Sequence, residues 1–178
     1  MTTRTIKVYS DYKSPYAYLA KDLVYDLERE TGVAVDWLPY PLDIPAYLGS
    51  AKLDAGGGVA EESRNAHQWR RVKYSYMDCR REANRRGLTI RGTQKIWDSS
   101  LASIGMLYAK ERGVFRDYHD RVFERFWRRE LDIESVPVLA ALLGANLQAL
   151  LQNPWLLGTF AAVFVLLALP MFGFFELQ

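Results

Sequence analysis

From Ser135 to Phe175 the chain carries no Asp, Glu, Lys or Arg, whereas all 23 of its Lys and Arg residues precede that stretch. The two parts are matched to different solvents. Within the uncharged part, Pro154–Phe175 (PWLLGTFAAVFVLLALPMFGFF) is 22 residues long, enough for one helix to cross a hydrocarbon layer of about 30 Å. A membrane span over 154–175 is therefore predicted, with Pro170 tolerated where neighbours satisfy the freed carbonyl. Trp155 and the cluster Phe172, Phe174 and Phe175 would lie at the two interfaces. The alternative is a buried helix of a soluble domain, but such helices keep polar positions on one face and this segment has no polar face.

The preceding part, about 135 charged and aromatic-rich residues, suits one domain able to bury its own core. A formal net charge of +2 is too near balance to imply nucleic acid as a partner, and the single cysteine, Cys79, excludes an internal disulfide framework. A reducing compartment follows. The start, MTTRTIKVYS, lacks the apolar core of an export signal. With every cation before the span, the positive-inside tendency puts the large domain in the cytoplasm, anchored to the inner membrane, and the tail Glu176–Gln178 outside.

Along the chain, Thr5–Tyr9 alternates like a strand and Ser14-Pro15 starts a helix over Tyr16–Glu30. Thr31-Gly32 stops it, and Val33–Tyr40 reads as a second strand. Pro39, Pro41 and Pro45 then end regular structure. Gly56-Gly57-Gly58 reads as a flexible loop, since it follows no strand and lacks the Lys-Ser/Thr of a phosphate cradle. Helices are predicted over Glu61–Arg86, Ser99–Arg112, Phe115–Arg128 and Glu134–Leu143. There is no internal repeat.

Chemistry concentrates at Asp11-Tyr12-Lys13-Ser14-Pro15-Tyr16, where the first strand hands over to the first helix. Ser14 at the N-cap and Pro15 at the first helical position expose a hydroxyl and free amides at a positive helix end. Such a terminus stabilises an anion, a thiolate included, although Ser-Pro pairs also cap helices with no further role. Other candidates are weaker. The arginines of 64–86 are interrupted by Asp78 and Glu82 at helical spacing, the pattern of a solvated face. His67 and His119 lie far apart without paired carboxylates or cysteines, so no metal site is predicted. Cys79 reads as a packed or partly exposed thiol.

The run YSDYKSPYAYLA, Tyr9–Ala20, resembles the start of the DsbA-like thioredoxin-fold family, and within it the branch of 2-hydroxychromene-2-carboxylate isomerases and kappa-class glutathione transferases. Trp69–Gly87, and Asp117–Phe123 through Phe126-Trp127, resemble the helical insertion of that branch. The resemblance covers about Ile6–Gly144. It implies an α/β thioredoxin-like fold with a helical insertion (1–144), a linker (145–153) and then the hydrophobic helix. Disulfide-exchanging members carry Cys-Pro-x-Cys at the helix start. Here Ser14 and Ala17 stand in those places, which excludes dithiol chemistry at the site. The branch instead implies glutathione as cofactor, with Ser14 activating its thiol and Pro15 and Tyr16 shaping the pocket. Lys52 stands as a weak counterpart of the polar positions that bind the tripeptide. The substrate would be a hydrophobic or aromatic electrophile lined by Tyr12, Tyr16 and Trp97, and a homodimer is compatible.

Two departures accompany the resemblance: the polar lysine and asparagine positions of the isomerase pocket have only the weak counterpart Lys52, and the end of the fold is missing. The family completes its sheet with a Val-cis-Pro strand, a hairpin and a last helix, whereas Val136-Pro137 follows Asp132–Ser135 at a helix start, where proline fits the first turn. Asn146–Gln178 instead resembles one membrane helix and its lead-in from DsbD-type thiol:disulfide interchange proteins, without their cysteines. The expected function is a glutathione-dependent isomerase or transferase. The rivals are a membrane-tethered, non-catalytic remnant with an uncovered sheet edge, or a thiol-disulfide oxidoreductase relative acting through the tail.

Overall fold

A computed structural model of the protein describes residues 4–151. The predicted span 154–175 lies outside the described residues, among which no helix is long and apolar enough to cross a membrane.

β1 (Thr5–Ser10), α1 (Pro15–Thr31) and β2 (Ala34–Pro39) form the opening unit. The strands pair in parallel from Thr5 opposite Ala34 to Ser10 opposite Pro39, which requires a crossover between them, and α1 supplies it. Local chemistry sets both ends of α1. Ser14 Oγ accepts from Ala17 N at 3.2 Å, and Gly32, at φ +67°, returns its N–H to Glu28 O at 3.0 Å, a left-handed stop that suits glycine. Glu28 also accepts from Val35 N at 3.0 Å, locking α1 to β2.

The next segment departs from expectation. After the short helix α2 (Ile44–Leu48), β3 (Ala51–Leu53) and β4 (Val59–Glu62) form an antiparallel hairpin. The three glycines are its turn: Asp54 Oδ1 accepts from Gly56 N and Gly58 N, each at 2.8 Å, with Gly57 at φ +83°. The helix predicted from Glu61 begins only at α3 (Ala66–Arg85). Asn65 and Gln68 close a capping box there, which ends helical structure on its N-terminal side and releases 59–62 into the strand.

α4 (Ser100–Glu111), α5 (Phe115–Trp127) and α6 (Val136–Leu151) complete the described chain. The core lies between α1, α3, α4 and α5, around Tyr18, Cys79, Met106, Tyr118, Phe123 and Trp127. α4 and α5 approach closely at Gly105, where an added Cβ would stand 2.1 Å from Tyr118 Oη. Val136 and Pro137 are the first residues of α6, and no peptide bond among the described residues is cis. α6 runs on to Leu151, past its predicted end at Leu143 and through most of the expected linker 145–153. Among the described residues β1 pairs only with β2, so its other edge is open, with Tyr9 61% exposed beside it.

Candidate functional site

A cavity of about 270 Å³ opens at the start of α1. Its walls come from five separate segments: Lys13–Tyr16, the stretch through α2, one side of α3, Thr93–Trp97, and Phe126-Trp127 at the end of α5. The residues between β1 and α1 are held by Asp11, a buried carboxylate that accepts from Lys13 N at 3.1 Å and from Leu42 N at 2.6 Å. One side chain thus fixes the helix start and brings the α2 segment across from it. The sequence run contains Asp11 but offers no local sign of this role, because Leu42 lies 31 positions away. On the far side, Arg129 adopts φ +61° and donates to Gly92 O at 2.9 Å and Arg91 O at 2.8 Å. Its guanidinium rests on the Phe126 and Trp127 rings, fastening the segment before Thr93 onto α5. Burial of that guanidinium lowers its pKa.

Ser14 lies on the cavity wall. Because its Oγ accepts from Ala17 N, its hydroxyl hydrogen stays available to donate to a guest. Tyr18 N donates to Ser14 O at 3.2 Å, and Pro15 has no N–H. Tyr16 N–H is therefore the first-turn amide without an acceptor among the described residues, and the helix terminus offers two donors, one hydroxyl and one amide. The Tyr16 ring lines the cavity and its hydroxyl donates to Asp78 Oδ2 at 3.1 Å. Desolvation, with Cys79 and Asp78 beside it, pushes the phenol pKa up, so it remains protonated. Trp97 forms the opposite wall, edge-on to Phe126 at 5.7 Å, with Lys95 Nζ 4.4 Å from its ring centre.

Lys13, Arg64, Arg71 and Lys95 also line the cavity, and no carboxylate does. Lys13 is drawn toward Asp11 at 3.7 Å, and Lys95 pairs with Glu134. Arg64 donates its Nε to Leu48 O at 3.0 Å, and desolvation lowers its pKa. Arg71 has no ion-pair partner among the described residues, and sequence reading passed over it as part of a solvated face.

Two residues expected at the site stand elsewhere. Lys52 is exposed on β3 and does not line the cavity. Tyr12 is buried in the core, its hydroxyl 2.9 Å from Nδ1 of the fully buried His119. It does not reach the cavity, because the turn held by Asp11 directs it among Tyr118, His119 and Phe123. Cys79, also fully buried, has its thiol pKa raised by desolvation.

Comparison with known proteins gives two family matches that overlap over residues 131–149, the region in which the charges end. The segment 131–178 matches the cytochrome C biogenesis protein transmembrane domain family. The chain is 95% identical over 44 residues to the thiol:disulfide interchange protein DsbD of Pseudomonas sp. (strain JR1 / K1), a match that takes in 25% of this chain and 8% of that protein. The chain thus spans less than a tenth of the DsbD relatives it matches. An uncharacterized Bacillus subtilis protein, YwbO, is 27% identical over 139 residues, 77% of this chain and 63% of YwbO. A 2-hydroxychromene-2-carboxylate isomerase of Sphingobium xenophagum is 43% identical over 54 residues, 30% of this chain and 25% of the isomerase. Residues 5–149 match the DSBA-like thioredoxin domain, and with most of its length so matched the chain belongs to the DSBA-like thioredoxin domain family.

Proposed function

We infer that the domain binds glutathione in the cavity at the start of α1 and acts as an isomerase or transferase on a hydrophobic or aromatic electrophile. The observation that carries this reading is Ser14: its oxygen is used in capping while its hydroxyl hydrogen remains free on a wall that holds cations and no carboxylate. The donor set suits the tripeptide. Ser14 Oγ–H and Tyr16 N–H are the two donors left at the start of α1 for a thiolate, and the positive helix end favours the anion. Arg71 and Lys13, both on the cavity wall, would supply cations for the two carboxylates of the tripeptide. Bound there, glutathione would supply a thiolate that adds reversibly to an electrophilic carbon. Trp97, Tyr16 and Phe126 present aromatic surface to the electrophile and keep water from it, and the protonated Tyr16 hydroxyl stays tied to Asp78.

Calorimetric titration of glutathione into the full-length protein, held in zwitterionic nanodiscs, tests the reading with Ser14→Ala and Ser14→Asp. Aspartate caps a helix as well as serine but cannot donate and repels a thiolate. Saturable binding by wild type that is weakened by alanine and abolished by aspartate, with the helical circular dichroism retained, supports the assignment. No binding by folded wild type, or undiminished binding by Ser14→Asp, overturns it.

The tail match supports a second inference, that 154–175 ties the protein to the bacterial inner membrane with the thioredoxin-fold domain in the cytoplasm. Alkaline carbonate should leave the full-length chain in the membrane pellet. Release into the supernatant would refute an integral anchor.

A further inference from the structure

We propose that a groove beside the Ser14 cavity, sharing with it the wall formed by Arg64, Val72, Tyr76, Thr93 and Ile96, binds an amphipathic anion, a single alkyl chain ending in a carboxylate. The groove encloses about 660 Å³ between the β3–β4 hairpin, α3 and residues 92–96, within the range of small-molecule sites. Its apolar lining comes from the aliphatic side chains of Leu53, Val72 and Ile96, from Met77, and from the Trp69 and Tyr76 rings. Met77, 62% exposed at the groove, is a flexible apolar side chain able to adapt to an alkyl chain laid against it.

The cations are fixed in place. Arg80 donates Nε to Ile90 O at 3.2 Å and lies over Tyr76, with Nη2 against Gly92. Arg64 donates Nε to Leu48 O and Gly49 O and lies over Trp69, whose Nε1 is tied to Glu62 at 2.8 Å. Each guanidinium is thus anchored through one nitrogen, and neither has an acceptor for its terminal nitrogens among the described residues. Lys73 has none either. Of the cations at the groove, Arg81 alone is paired, with Asp78 at 2.6 Å, and no carboxylate lines the groove. Pre-organised guanidinium forks beside an unneutralised ammonium are a receptor for a planar oxyanion. The ring faces under the two arginines are already taken, which disfavours stacking of a base or aromatic ligand and leaves the aliphatic surface for a chain.

The assignment shares Arg64 with the Ser14 cavity but does not use Ser14 itself, and variants at Lys73 and Met77, which line the groove alone, separate the two. Octanoate is titrated calorimetrically into the full-length protein in zwitterionic nanodiscs, against empty discs, with octyltrimethylammonium as the control of equal chain and opposite charge. Saturable octanoate binding is expected, weakened about tenfold or more, some 1.4 kcal/mol, by Lys73→Glu and by Met77→Glu and unchanged in Ser14→Ala. Lys73 and Met77 are surface residues outside the Ser14 cavity. Absence of saturable binding by folded wild type overturns the proposal. So does equal binding of the ammonium, which means apolar partition alone, or loss only in Ser14→Ala, which places the anion in the other cavity.

Discussion

Acid should destabilise this domain through His119. The imidazole is fully buried, with ring centres of Trp37, Phe115 and Phe123 each at 4.8 Å and Tyr12 at 5.3 Å. Nδ1 meets the Tyr12 hydroxyl, and Nε2 has no partner among the described residues. Protonation would bury a cation whose second N–H has nothing to donate to. Burial, reinforced by the charge of Lys21, accordingly lowers its pKa to about 3 from an ordinary 6.5. The sign follows from linkage: between those values the unfolded chain binds the proton and the folded one does not, so stability rises with pH and is lost as pH falls below 6.5. The loss is about 2 kcal/mol by pH 5 and approaches about 5 kcal/mol near pH 3, a large part of the stability of a domain this size. His119→Phe keeps an aromatic ring and removes the titration, while leaving the Tyr12 hydroxyl alone at a cost of about 1–3 kcal/mol. Urea unfolding at pH 7.5, 6, 5 and 4 should show the variant weaker at neutral pH but with a shallower decline below pH 6.5, so that the gap closes by about 2 kcal/mol at pH 5. Parallel pH profiles for the two proteins would refute the assignment of the acid loss to this residue.

Gly105→Ala drives a methyl to 2.1 Å from Tyr118 Oη, whose hydroxyl donates to Ala102 O at 3.0 Å. Separating α4 from α5 should cost about 1–3 kcal/mol, read from the urea midpoint, and an unchanged midpoint would mean that the helices are not in close contact there. Cys79, buried and with its pKa raised by desolvation, should react with an aromatic disulfide reagent at pH 8 at least about a hundredfold more slowly in the native protein than in urea. Comparable rates would contradict its burial.

What the sequence revealed depended on how far apart the deciding partners lie. Ser14, Pro15 and Gly32 act on backbone groups within a turn of themselves, so the first helix and its capped start were readable. The resemblance to the family rested on that same run. The hairpin was not readable, because β3 and β4 are short, their charges face outwards, and the tie that seats them, Leu53 N to Gln94 O at 2.9 Å, spans distant residues. Nor could spacing show that Arg71, rather than Lys52, reaches the cavity. That depends on where α3 crosses the start of α1.

Tyr12 and Tyr16 make the point within the motif itself. They flank Ser14 symmetrically in sequence and share side-chain chemistry, so both were assigned to the substrate pocket. Side chains alternate along a strand and advance about 100° per residue along a helix, and neither rule holds across the turn between them. There the backbone is set by Asp11, which binds Lys13 N on one side and Leu42 N on the other. Tyr12 is turned inward to His119 and Tyr16 outward to Asp78. The same carboxylate that shapes the Ser14 cavity therefore makes one tyrosine part of the core and the other part of the wall.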